Sequence, residues 1–321
     1  MPELPDLEVY RRALEARLAG ARLERLRFVS PFVLRSVDPP AAELEGRCVE
    51  AVTRLGKRLV LRCAGERFLV VHLMIAGRLR WLAPGAKLPG RIALAALDFA
   101  AGTLVLTEAS AKKRAWIRLV RGAPALAELD PGGVEPLAVE PAALRAALAR
   151  ENRTLKRALT DPRLVAGIGN AYSDEILHAA RLSPLARTGR LDEAAWARLL
   201  VALRTTLESW TARLLAEAGD GFPAKVTAFR PDMAVHGRFG APCPVCSTPV
   251  QRLVYAENEA NYCPRCQTGG KLIADRALAR LLAGDWPRTL EELEERKAAA
   301  RAAGPAGRPA PLRPPRSSDG T

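Results

Sequence analysis

Along the first 120 residues the spacing of apolar positions changes period once. Residues 6–18 place Leu7, Tyr10, Leu14 and Leu18 at helical intervals, with Pro5 available to open the first turn. A helix is expected there, holding the start of the chain against another part of the protein. From residue 22 to about 120 the pattern shortens to the runs LERLRFV, CVEAV, RLVLRC, RFLVVHL, RLRWL, ALAALDF, TLVLTE and AWIRLV, separated by Gly, Pro and charged residues. Short strands at this spacing predict a β-sandwich. Residues 122–141, which include LDPGGVEPL, read as a linker. Helical spacing returns over 142–218, broken at Asp161-Pro162, at 167–170 and at Ser183-Pro184. The organisation expected is α+β: a sandwich at 1–121, the linker, a helical domain at 142–234, a cysteine module at 235–270, a helical extension at 271–297 and a basic tail at 298–321. The tail is rich in Ala, Pro, Gly and Arg and is expected to be disordered.

Composition narrows the partner. The 321 residues carry 49 Lys+Arg against 35 Asp+Glu, a formal charge of +14. That excess points to a polyanion, nucleic acid first and an anionic membrane surface second. With 49% hydrophobic and 26% charged residues the chain is neither fibrous nor disordered. The most apolar stretch, 92–106, is interrupted by Asp98 and Gly102 and is shorter than the roughly 18 residues that cross a bilayer, so no membrane span is expected. The opening MPELPDLEVYRR lacks the basic-then-apolar order of a secretory signal, and a cytoplasmic location is expected.

Cys48 and Cys63 stand alone in strand-like runs, whereas Cys243, Cys246, Cys263 and Cys266 form C-x2-C-x16-C-x2-C. Four thiolates at that spacing close a tetrahedral zinc site with no open position, so one structural Zn2+ is expected; a redox dithiol is the alternative. Arg238, Arg252, Arg265 and Lys271 flank the module and would press it onto phosphate.

Two further segments carry chemistry. Removal of Met1 would leave Pro2 with a secondary amine able to attack a carbonyl-level carbon, and Glu3 beside it could move protons; the plain alternative is a frayed terminus. An α-amine near pKa ~8 is partly unprotonated at neutral pH, which a lysine near ~10.4 is not without burial. In LKRALTDPRLVAGIGNAYSDEIL, residues 167–170 make a tight turn into a helix, aiming free amides and the Asn170 side chain at an anion. A purely structural helix-turn-helix is the alternative.

PELPDLE, RLGKRLVL, GIGNAYSDEIL and the four-cysteine module, in that order, resemble the formamidopyrimidine-DNA glycosylase and endonuclease VIII family over about residues 2–267. The resemblance implies an N-terminal β-sandwich, a helix-two-turn-helix domain and a C-terminal zinc finger, with damaged double-stranded DNA between domains and a monomeric enzyme. It implies excision of an oxidised base and strand cleavage, with Pro2 as Schiff-base nucleophile, Glu3 as general acid/base and Lys57 on the phosphate beside the lesion. Asn170 is similar to the asparagine that grips that phosphate, and His72 and Lys156 match further contact positions. His72 reads equally well as a core histidine.

The chain departs from the family pattern at several positions. Asp6 replaces a glutamate; Ile75 in HLMIAG takes the place of the intercalating methionine, with Met74 one residue early. EASAKKRAW, in which Arg114 is expected to contact DNA, leaves Ala115 at the aromatic wedge position, with Trp116 as a substitute or as core. Asn258 aligns with the finger arginine. Residues 219–235 do not read as a loop that caps oxidised guanine. These departures keep a second reading open, a homologue that binds DNA or cleaves abasic sites without excising bases. A zinc-ribbon transcription or translation factor is a further rival, but it leaves the N-terminal Pro-Glu unexplained.

Overall fold

The computed structural model describes residues 1–223, 226–227, 230–255, 258–273 and 287–302. All eight apolar runs are strands: β1 (Arg25–Phe28), β2 (Val49–Leu55), β3 (Arg58–Cys63), β4 (Arg67–His72), β5 (Gly77–Leu82), β6 (Ala93–Phe99), β7 (Gly102–Glu108) and β8 (Trp116–Arg121). They pair antiparallel in two four-stranded sheets, ordered β1-β6-β7-β5 and β2-β3-β4-β8. The inner faces share one core, with Leu59, Leu61, Leu69 and Val71 from one sheet and Leu79, Leu97, Leu104 and Leu106 from the other.

The outer face of the second sheet is also apolar, through Val60, Phe68, Val70 and Val120, and water must be excluded from it. Helix α2 (Ala123–Ala127) supplies the cover with Ala125, Leu126 and Leu129. The segment read as a linker is therefore built into the fold. Further along it, Val134 N donates to Leu164 O (3.1 Å) and Ala166 N to Val134 O (2.9 Å).

Helix α1 (Leu4–Leu18) has Pro5 in its first turn and a reciprocal cap between Glu3 and Asp6. Leu7, Tyr10, Leu14 and Leu18 enter the sandwich core. Leu4 belongs instead to the core of the helical domain, beside Leu155, Ile168 and Tyr172. One helix thus joins both cores. That second core is built by α3 (Pro141–Ala149), α4 (Leu155–Thr160), α5 (Asn170–Ala179) and α6 (Glu193–Ala218), the last capped by Asp192, which accepts from Ala195 N at 2.7 Å.

The hairpin β9 (Gln251–Tyr255) and β10 (Asn258–Tyr262), followed by α7 (Pro264–Thr268), forms the cysteine module. Helix α8 (Leu290–Ala302) runs past residue 298, into the segment assigned to a disordered tail; LEELEERK is made of strong helix formers. Residues 303–321 of that tail, and residues 274–286 of the expected helical extension, lie outside the described residues. No described helix is long and apolar enough to cross a membrane.

Candidate active site and nucleic-acid interface

The first amides of a helix have no intrahelical acceptor. The sequence aims those of α5 at an external anion; the structure gives them Glu3. Gly169 N (2.6 Å) and Tyr172 N (3.2 Å) donate to Glu3 Oε2, and Ala171 N donates to Oε1 (2.9 Å). The positive end of the helix dipole faces the same carboxylate. Leu4 N donates to Gly167 O (2.9 Å), so two successive residues of the chain start are tied to the turn. The approach is close enough to require glycine. A Cβ on Gly169 would lie 2.5 Å from Glu3 Oε1 and 2.7 Å from Lys57 Nζ, and one on Gly167, where φ is +80°, 2.8 Å from Leu4 Cβ.

Lys57 therefore lies on the same side of the turn as this carboxylate, close enough to feel its charge without a direct ion pair. It projects from the β2–β3 turn, which Arg54 braces by donating to Gly56 O (2.7 Å) and pairing with Glu8 (3.1 Å) and Glu135. Burial holds the Lys57 ammonium below its usual pKa; Glu3 opposes the shift and Lys156 adds to it. Burial likewise lowers the pKa of the terminal amine on Met1, again against Glu3. Pro2 and Glu3 are both buried.

Asn170 opens α5, half-buried, and its carbonyl accepts from Lys156 Nζ (2.6 Å). Lys156, expected at the DNA surface, is 3% exposed and pairs with Asp174 Oδ1 at 2.5 Å. Its ammonium braces Asn170 from beneath. His72 ends β4, accepts Met74 N on Nδ1 (2.9 Å) and stacks on Trp116 at 5.3 Å between centroids. Burial, then Arg58 and Lys57, push its pKa down to about 4. The ring is neutral at physiological pH, with Nε2–H left as a donor.

In the cysteine module the sulfurs of Cys243, Cys246, Cys263 and Cys266 all lie within 4.8 Å of one another. The distances of 3.4, 3.5 and 3.9 Å between three sulfur pairs match the edge of about 3.8 Å expected for a tetrahedron with Zn–S near 2.3 Å. The donor set fits one structural zinc.

Residues 1–114 match the Formamidopyrimidine-DNA glycosylase N-terminal domain, residues 133–213 the Formamidopyrimidine-DNA glycosylase H2TH domain, and residues 240–269 the zinc finger found in FPG and IleRS. A Formamidopyrimidine-DNA glycosylase of Symbiobacterium thermophilum is 35% identical over 83% of this chain and 89% of its own length. The chain belongs to the formamidopyrimidine-DNA glycosylase family. Another such glycosylase, from Moorella thermoacetica, is 33% identical over 79% of this chain and 94% of its own. The Lactococcus lactis Fpg in complex with abasic-site DNA superposes with a TM-score of 0.73 at 25% identity, over 83% of this chain and 99% of that one.

Against the family pattern, Ile75 is 58% exposed on the β4–β5 turn, as an inserting side chain needs to be. Ala115 is not a wedge. It is 3% exposed, lies under that turn where a Cβ on Gly77 would meet it at 2.9 Å, and donates its N–H to Glu108 Oε2 (2.9 Å). Arg114 N donates to the same buried carboxylate oxygen (2.7 Å), so Glu108 clamps the loop and leaves Lys112, Lys113 and Arg114 exposed at its tip. Trp116 is occupied on the outer face of its sheet, with Arg58 and Arg118 each 5.8 Å from its ring. The side chain of Asn258 lies outside the described residues, as do residues 224–225 and 228–229 of the 219–235 segment.

Sequence reading missed the acids that organise the site. Asp174 joins Lys156 to His236 (2.8 Å), and Glu175 accepts Ala234 N, Val235 N and His236 N at 2.7–3.0 Å. The available signal was a pair of adjacent acids, Asp174-Glu175, in the helix that follows the glycine turn.

Gly169→Ala displaces only the ends of two side chains, so the fold should survive with a melting temperature lowered by a few degrees. Strand cleavage should fall by at least about 100-fold, the usual worth of a positioned acid/base. Circular dichroism with single-turnover cleavage checks this, and unchanged cleavage would contradict it.

Asp6 is buried, accepts Glu3 N on Oδ2 (2.9 Å) and has no partner for Oδ1 among the described residues. Burial, with Glu3 adding, pushes its pKa up to about 6 from 3.8. An acid more readily protonated when folded loses stability as pH rises from about 4 to about 6. His72, less readily protonated when folded, gains stability over about pH 4 to 6.5. The two slopes oppose each other. Relative to wild type, Asp6→Asn should therefore gain about 2 kcal/mol between pH 4.5 and 6.5, and His72→Gln should lose stability over the same interval, both measured by urea unfolding.

Proposed function

We propose that this chain excises oxidised bases from double-stranded DNA and cleaves the resulting abasic site, with Pro2 as attacking amine, Glu3 as proton carrier, and Lys57 and Asn170 as ligands of the adjacent phosphate. As a member of its family it is a base-excision-repair enzyme, both DNA glycosylase and abasic-site lyase, and it binds DNA. The observation that carries the residue assignment is the fixing of Glu3 on the first amides of α5, with Lys57 near enough to feel its charge.

The sugar C1′ is reached only after the nucleotide leaves the stack. The Pro2 nitrogen then bonds to C1′ as the base departs with a proton, and opening of the ring gives an iminium. The iminium acidifies the C2′ hydrogen; its loss expels the 3′ phosphate, and a second elimination expels the 5′ phosphate. In this reading Glu3 carries these protons and Lys57 faces the phosphate charge. Burial lowers the pKa of the chain-start amine on Met1, and the same surroundings would favour the unprotonated Pro2 nitrogen that attack requires once Met1 is removed.

A second reading, strong abasic-site cleavage with weak base excision, is favoured by the β7–β8 loop. Opening an intact pair costs a few kcal/mol, which an inserted aromatic side chain partly offsets. This loop presents Lys112, Lys113 and Arg114 and buries Ala115. Cations hold the backbone but fill no gap.

Borohydride should trap the protein on abasic DNA, with peptide mapping placing the adduct on Pro2. Pro2→Gly retaining full activity, or an adduct on a lysine, would overturn the assignment. Single-turnover cleavage of abasic duplexes should exceed excision of 8-oxoguanine opposite cytosine by at least about tenfold; equal rates would mean that a wedge exists.

A further inference from the structure

Helix α5 ends at His178 and Ala179, and the ring of His178 passes into the zinc finger. Its Nε2 lies 3.3 Å from Cys243 Sγ, with His178 7% and Cys243 2% exposed. No other partner of Nε2 is found among the described residues. A cysteine bound to zinc is a thiolate and carries no proton, so in the metal-loaded protein the ring must be the donor. A charge-assisted N–H···S bond of this kind stabilises the thiolate lone pair and fixes the direction of its metal bond.

We propose that His178 is an outer-sphere donor to the zinc thiolate of Cys243, tying metal retention to the helix that carries Asn170 and receives Glu3. The histidine is a positioning residue, reaching neither DNA nor metal. The surrounding contacts make the bond a mechanical link. Gln267, on α7, donates to Leu182 O (2.9 Å) just beyond α5 and accepts Cys263 N (2.8 Å). Glu175, one turn before His178, holds the chain entering the finger through three amides. The finger is thus fastened to α5 at a metal ligand as well as at its backbone.

The test uses the full-length protein and three forms: wild type, His178→Phe, which keeps a ring and loses the donor, and His178→Gln, whose amide can reach the same sulfur. Zinc release into a chromophoric chelator should be about tenfold faster for His178→Phe, at the lower end of outer-sphere effects, and close to wild type for His178→Gln. With Co2+ in place of zinc, the sulfur-to-metal charge-transfer band should move to lower energy in His178→Phe and return towards wild type in His178→Gln. Release rates and bands identical in all three forms would overturn the proposal. So would faster release in both variants with an unmoved band, since that is the signature of lost packing rather than a lost donor.

Discussion

A carboxylate two residues after the start of the chain sits on the open amides of a helix that begins at residue 170, and the active site exists because of that contact. Glu3 is 2% exposed. A buried carboxylate is costly unless its oxygens are satisfied, and three backbone N–H groups with an opposed helix dipole provide what water would have provided. The contact fixes more than Glu3. It brings the Glu3 charge within reach of Lys57 and commits Leu4 to the helical core while the apolar side chains further along α1 enter the sandwich. A helix shared between two cores cannot rotate or slide without loss to both, so the chain start inherits the rigidity of the whole molecule.

Helix α5 works at both ends. Its N-terminus holds the Glu3 carboxylate and its C-terminus meets the zinc finger, while Asp174 in its middle joins Lys156 beneath Asn170 to His236 at the finger entrance. Buried ion pairs of this sort gain little net stability over apolar packing of the same volume. Their use here is geometric. Exchanging Lys156 for a hydrocarbon would fill its space but would leave Asn170 O and Asp174 without the donor that sets where the first turn of α5 begins.

The strands, α1, the turn at 167–170 and the cysteine ligands were legible because each is written in local spacing: period two, period 3.6, a glycine pair, two C-x-x-C pairs. What was illegible depends on partners distant in sequence. Lys156 looks like a surface cation until its neighbour at 174 is known, and Ala115 looks like a truncated wedge until the β5–β7 register sets Glu108 opposite Gly77. The cover helix α2 hides in a Pro- and Gly-rich segment because its reason for forming, the apolar outer face of β3, β4 and β8, lies in other strands. The anion at α5 was foreseen in kind and missed in identity, since nothing local to GIGN says that the anion comes from residue 3.

The same register explains how the DNA-facing edge departs from the family pattern without loss of fold. Glu108 lies at the end of β7 with its carboxylate turned onto the amides of residues 114 and 115, so the loop path is held chiefly by this one buried acid. Lys113 Nζ adds a bond to Glu108 O, while the side chains of Lys112 and Arg114 stand exposed with no such bond among the described residues. A lysine or arginine at that tip gains Coulomb energy from phosphate at a distance, and that gain is screened by salt, whereas a ring gains only on insertion and is indifferent to salt. Ile75 on the neighbouring turn is left as the apolar group placed to enter the stack, and a short branched side chain fills less of the space a base vacates than a ring does. On the proposed function, discrimination between an abasic site and an intact damaged pair would rest on how much gap must be filled, a quantity set by one turn and one loop whose positions Glu108 and Gly77 determine together.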